Sequence, residues 1–227
     1  MTEQLNIGEL ILYKNNQLIA FNKPAGIPVQ ADQTGDKSML ELAEIYTKSR
    51  LHLIHRIDRP VSGIVLFAKT SGALANLNEQ FKSRQLKKTY WAVVQNLPPK
   101  KEGTLEHFVV KNSKKNISFA SDTEKKESKK SVLHYKLLGS IERYHLLEIS
   151  LESGRHHQIR AQLATINCPV KGDVKYGFRR GNRDRSIHLH ARKLEFTHPV
   201  SMETETIIAE PADEVIWNAF KELGITS

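Results

Sequence analysis

A chain of 227 residues with 39% hydrophobic and 26% charged residues has the balance of a globular protein with a sizeable core. Its single cysteine, Cys168, excludes an internal disulfide, and no apolar run approaches the roughly 18 residues that a membrane helix needs. The net charge of +9 is unevenly placed: Lys111 to Lys130 holds seven lysines against Asp122, Glu124 and Glu127, and Arg179 to Arg185 holds four arginines against Asp184. Concentrated positive charge fits a polyanion better than mere solubility, because neutralising phosphates releases counterions. No basic region followed by an apolar core is visible at Met1–Leu5, so a cytoplasmic location is expected.

In chain order, Leu10–Tyr13 and Leu18–Phe21 read as strands joined by the polar turn Lys14–Gln17. The prolines of Asn22-Lys23-Pro24-Ala25-Gly26-Ile27-Pro28 then forbid continued pairing. Ser38 is placed to cap a helix with apolar positions Met39, Leu42, Ala43 and Tyr46. Two short apolar strands, Leu51–Ile54 and Ile64–Thr70, flank His55-Arg56-Ile57-Asp58-Arg59-Pro60-Val61-Ser62-Gly63. That turn mounts one carboxylate, Asp58, between Arg56 and Arg59. Ser71 is the expected cap of a second helix with Leu74, Leu77 and Phe81 on one face. Lys88–Val94 is β-branched and aromatic, a strand with Tyr90, Ala92 and Val94 on one side.

Gly103–Val110 reads as a strand, and the lysine-rich segment after it as a mobile loop or hairpin. Ser131–Leu138 and Tyr144–Leu151 alternate as antiparallel partners, with turn chemistry at Gly139-Ser140. A helix opens after Arg155, with Ile159, Leu163 and Ile166 as its buried stripe and His156 and Arg160 sharing a face. Ser186–Phe196 is a further strand in which His188 and His190 point the same way, and Asp213–Leu223 a capped amphipathic helix. Eight or more strands to four helices, many strands adjacent in sequence, make an α+β fold with a mainly antiparallel sheet in one domain, 1–227.

The chain has no Gly-rich phosphate loop, no nucleophile elbow around Ser62, and no metal-binding frame among its ten histidines. What remains is an aspartate in a basic setting, with Tyr90 and Arg160 on separate elements. The set His55-Arg56-Ile57-Asp58 with Ser62-Gly63 resembles the signature of the RluA-type RNA pseudouridine synthases. So do Asn22-Lys23-Pro24-Ala25-Gly26, Lys88-Thr89-Tyr90, Ser153-Gly154-Arg155-His156-His157-Gln158-Ile159-Arg160, Pro169–Asp173, and Leu189-His190-Ala191 through His198-Pro199.

The resemblance implies a cofactor-free isomerase that turns uridine in RNA, ribosomal or transfer RNA being the expected substrate, into pseudouridine, with an active-site cleft across a mixed, mainly antiparallel sheet flanked by helices. By position Asp58 is the catalytic aspartate, which attacks the nucleotide covalently or stabilises the separated base; the residues leave both routes open. Tyr90 matches the aromatic that stacks on the target base. Arg160 matches the arginine paired with the catalytic carboxylate, and Arg56 a residue that fills the gap left by a flipped nucleotide. Arg59, Lys88, Arg155, Arg179, Arg180 and Arg183 are the further candidates for substrate contacts. The pattern starts too early for the N-terminal S4 domain that many relatives carry, and a monomer is expected. Ser153, Gln162 and Asn167-Cys168 depart from the usual pattern and bear on fine positioning. A non-catalytic RNA-binding or RNA-folding module of the same fold is the alternative.

Overall fold

A computed structural model describes residues 5–225. The chain divides into two compact units. The first takes the chain through Lys87 together with Ala191–Pro211, and the second takes Lys88–His190 and the stretch from Ala212.

In the first unit, β1 (Ile11–Lys14) and β2 (Leu18–Lys23) form the expected hairpin, and β4 (Ser62–Ala68) pairs antiparallel with β2. The two-residue β3 (His52–Leu53) also pairs with β4. β10 (Leu189–Thr197) follows β4 in the strand order, and β11 (Thr204–Ile208) pairs antiparallel with β10. β2 and β4 read as continuous apolar runs because they are buried along almost their whole length. Leu18, Ala20, Ile64 and Leu66 meet Leu77 of α2 (Ser71–Lys82) and Leu194, Phe196 and Ile207 in one core.

Helix α1 (Met39–Thr47) begins as its sequence dictates: Ser38 and Glu41 form a reciprocal capping box, with Glu41 accepting from the Ser38 amide at 2.8 Å. Its expected apolar stripe is only partly used, since Met39 and Ala43 are buried while Tyr46 is exposed. The cap of α2 is Thr70, not Ser71: Thr70 has extended backbone and its hydroxyl accepts from the Ala73 amide at 3.2 Å.

The second unit has strand order β5 (Lys87–Val94), β9 (Tyr144–Leu151), β8 (Lys129–Ile141), β6 (Glu102–Asn112) and β7 (Ile117–Ser121), each pair antiparallel. Gly139-Ser140 is no turn. β8 runs through it with a register shift between Leu137 and Gly139, and the turn falls at Glu142-Arg143. The lysine-rich segment is the β6–β7 hairpin and its exit into β8, the second of the two expected forms.

Helix α3 spans Gln158–Thr165, so His156 lies before it and does not share a helical face with Arg160. His157, at φ 52°, is the residue that turns the chain into α3. Helix α4 (Val215–Glu222) buries Trp217 and Phe220 against Trp91, Val93 and Leu146, and its cap is Glu214, with no side-chain cap bond from it. His188 and His190 do face one way, and both rings pack on Trp217.

Candidate active site

In the first unit the Asp58 turn is built on a buried lysine. Lys23 ends β2 fully buried, and its ammonium donates to the carbonyls of Pro24 (2.8 Å), Ile27 (2.8 Å) and Arg59 (3.3 Å). The Gly26 amide adds a 2.8 Å bond to the Arg59 carbonyl, and the Val61 amide closes the turn on the Asp58 carbonyl at 3.0 Å. The loop 24–28 and the turn 58–61 are therefore one fastened piece. Burial lowers the Lys23 pKa to about 7, the negative charge of Asp58 raises it and the positive charge of Arg59 lowers it. Ile57 and Val61 are buried on either side of Asp58, which stays half-buried, while Arg56 is exposed. His55 Nε2 accepts from the Leu66 amide at 3.1 Å, which ties the start of the turn to β4.

Gly63 sits where the turn enters β4, with φ +111°. A Cβ there would lie 2.4 to 2.8 Å from the Ala191 backbone, so only glycine lets the two strands approach.

Arg59 is engaged by the loop before α1. Its guanidinium donates to Thr34 Oγ1 at 2.6 Å and pairs with Asp36 and, at 3.4 Å, with Asp32. The Asp36 hydrogen bond is the first cause of a raised Arg59 pKa, and the same bond lowers that of Asp36. Arg192 is buried on β10, donating to the Ala209 carbonyl and pairing with Glu210 at 2.7 Å. The Glu210 carbonyl in turn accepts from Asn22 at 2.8 Å.

In the second unit Tyr90 lies on β5 opposite Ile149, almost fully buried. Arg160, near the start of α3, is 4% exposed and makes a two-pronged ion pair with Asp173, which is 2% exposed: Nε to Oδ2 at 2.6 Å and Nη2 to Oδ1 at 2.9 Å. Its guanidinium carbon also lies over the Tyr176 ring, 5.0 Å from the centroid. The Tyr176 hydroxyl accepts from the Ser118 amide at 2.7 Å and meets His157 Nδ1 at 2.9 Å. Burial, and then the charge of Arg160, push the His157 pKa down to about 2. His156 stacks on His157 at 3.8 Å and bonds Ser118 Oγ at 2.8 Å.

Lys88 passes the Ser153-Gly154-Arg155 segment so closely that a Cβ on Gly154 would stand 3.1 Å from its Nζ. Burial lowers the Lys88 pKa to about 8. Gln158 stitches that segment, accepting from Ser153 Oγ and the Arg155 amide and donating to the Val132 carbonyl. Gln162, one of the departures from the family pattern, is fully buried and donates to the Leu105 and Ser131 carbonyls of β6 and β8. Arg155, Arg179, Arg180 and Arg183 are exposed.

Several of these residues carry little local signal. Lys23 and Asp173 lie in segments whose motifs are legible, but nothing nearby in sequence identifies the three carbonyls on one or the guanidinium on the other. Tyr176, Ser118 and Asp36 have no sequence signal at all.

The sequence pattern described as RNA pseudouridylate synthase matches residues 17–165, which include Asp58, Tyr90 and Arg160. The chain is 34% identical over 222 residues to a protein of Bacillus subtilis described as an uncharacterised RNA pseudouridine synthase, covering 91% of this chain and 70% of that one. It is 32% identical over 220 residues to tRNA pseudouridine synthase C of Yersinia pestis, covering 88% and 85%. It is 31% identical over 225 residues to ribosomal large subunit pseudouridine synthase C of Buchnera aphidicola, covering 94% and 70%. Among solved structures, human RNA Pseudouridylate Synthase Domain Containing 4 superposes with a TM-score of 0.77 at 23% identity, over 95% of this chain and 93% of that one. The α+β fold with its mostly antiparallel strands is thus that of the pseudouridine synthases, and the chain belongs to the RNA pseudouridylate synthase family, a family of isomerases.

Proposed function

We propose that this chain isomerises particular uridines in structured ribosomal or transfer RNA, with Asp58 as the catalytic carboxylate and no cofactor. The observation that carries the reading is the mounting of Asp58: a half-buried carboxylate on a turn whose neighbours Ile57 and Val61 are buried and whose carbonyl frame is fastened by Lys23. A group held on such a rigid base is positioned for reaction. Residues 1–227 act as one catalytic domain, with Asp58, Tyr90 and Arg160 as its catalytic residues.

The reaction balances without an external reagent. The bond between N1 of uracil and the ribose carbon C1′ breaks, the base turns, and a bond forms from C5 to C1′. The proton on C5 leaves and N1 acquires one. Asp58 either attacks the nucleotide or stabilises the separated base while the N1 bond is broken. Tyr90 supplies the face on which the flipped base stacks, an interaction worth about 1–3 kcal/mol, and accepts a proton. Asp173 occupies the Nε/Nη2 edge of Arg160 and fixes the guanidinium of the arginine that the family pattern pairs with the catalytic carboxylate. Arg56, exposed beside Asp58, fills the space left by the flipped nucleotide. Lys88, Arg155, Arg179, Arg180 and Arg183 contact phosphates. Arg59 contributes mainly by tying the turn to Asp32 and Asp36, with part of its surface facing RNA.

The test is pseudouridine formation in bulk RNA that lacks the modification, with wild type and Asp58→Ala side by side. Turnover disappears in the variant and RNA affinity changes little, because Asp58 acts on the transition state more than on the bound ground state. Equal turnover in both proteins overturns the assignment, and tight binding with no turnover in either supports the non-catalytic module.

A further inference from the structure

The β6–β7 hairpin carries an aromatic where an edge strand ordinarily avoids one. β7 is the last strand in its unit's order, and edge strands are commonly guarded by lysines, which alone would explain the charge of this segment. Phe119 does not fit that explanation. It is 49% exposed in the middle of β7, while the adjacent Ser118 is buried. Its register partner on β6 is Val110, itself half-buried, so an apolar strip runs along the outward face. Flanking it in the chain are the exposed Lys114 and Lys115 at the hairpin end and Lys125 and Lys126 on the following turn.

The platform is also rigid. Ser118 on the opposite face is fixed twice, its amide by Tyr176 and its hydroxyl by His156, and Tyr176 is the ring beneath Arg160. A fixed sheet surface with an exposed ring inside a lysine frame has the elements that bind unpaired nucleotides: a π-face for a base and cations for the flanking phosphates. A protein partner would be served by the apolar strip but gives no reason for the concentrated positive charge. A double helix would satisfy the lysines but has no splayed base for Phe119.

We propose that the outward face of this hairpin is a docking surface for a single-stranded segment of the RNA substrate, with one base stacked on Phe119. The proposal rests on the chain acting on RNA, yet its test does not depend on the chemistry at Asp58. Binding of a short oligouridylate and of an RNA duplex of equal length is measured for wild type, Phe119→Ala and Phe119→Tyr. Loss of one stack weakens single-strand binding by about tenfold in Phe119→Ala, with Phe119→Tyr close to wild type and duplex binding unchanged. Neutralising Lys114 and Lys115 with glutamine lowers the steepness of the salt dependence by about 1.4 if each meets one single-strand phosphate. Unchanged single-strand affinity in Phe119→Ala overturns the proposal, as does an equal loss for duplex. Concentration-dependent self-association that Phe119→Ala abolishes also overturns it and assigns the strip to a second copy of this chain. Should Asp58→Ala retain turnover, the catalytic assignment fails while the Phe119 measurement stands.

Discussion

At the scale of single residues, the most informative group is one that does no chemistry. A lysine buried at the end of β2 has to give up its hydration, and three carbonyl acceptors compensate only in part, which is why its pKa falls to about 7. Between that value and the ordinary lysine range the unfolded chain holds a proton that the folded one has lost. Stability contributed by Lys23 therefore rises with pH above about 7, by up to about 1.4 kcal/mol per pH unit. Urea unfolding at pH 7 and pH 9 shows wild type gaining stability relative to Lys23→Met at the higher pH, and a relative loss contradicts the burial argument. The Arg160–Asp173 pair behaves differently because both partners are buried. Asp173→Ala leaves a buried guanidinium without its two-pronged partner, and unfolding free energy drops by about 3–5 kcal/mol. A loss below about 1 kcal/mol, the value of an exposed pair, would mean that the pair is open to water.

At the scale of elements, sequence legibility follows the range of the forces involved. The capping box at Ser38 and Glu41 and the β1–β2 hairpin are local, so their residues identify them directly. Gly139-Ser140 has turn composition, yet the cross-strand register of β8 with β9 overrides it and places the turn at Glu142-Arg143. The strand β11 goes unrecognised and β7 is left between loop and hairpin because both are short, although each pairs with the strand just before it. Gly63 belongs to this scale, since its role is the crossing of one strand past another. Gly63→Ala meets the Ala191 backbone and an unfavourable φ together, costing about 3 kcal/mol in denaturant unfolding. A cost within about 0.5 kcal/mol would show that the strands separate easily.

At the scale of the whole molecule, the sequence order of the family motifs carries more than any one contact. Asp58, Tyr90 and Arg160 all lie in the matched stretch 17–165. What fixes them is not visible in one dimension. Lys23 holds the turn of Asp58, and Asp173 and Tyr176 hold Arg160, through contacts that no spacing rule encodes. The +9 charge acts at this scale too. With about six phosphates neutralised, log affinity for RNA falls with log salt at a slope near −4 to −5, and replacing Arg179, Arg180 and Arg183 flattens it. An unchanged slope would place the RNA away from that exposed cluster.

The central claim is that the Asp58 carboxylate drives the exchange of an N1 bond for a C5 bond. RNA transcribed with tritium at C5 of uridine releases its label to water each time the exchange is completed, whatever the sequence of the RNA. Wild type releases tritium from its substrate RNA, and Asp58→Asn, which keeps the shape and removes the charge, binds that RNA without releasing it. Release from Asp58→Asn at the wild-type rate would contradict the claim.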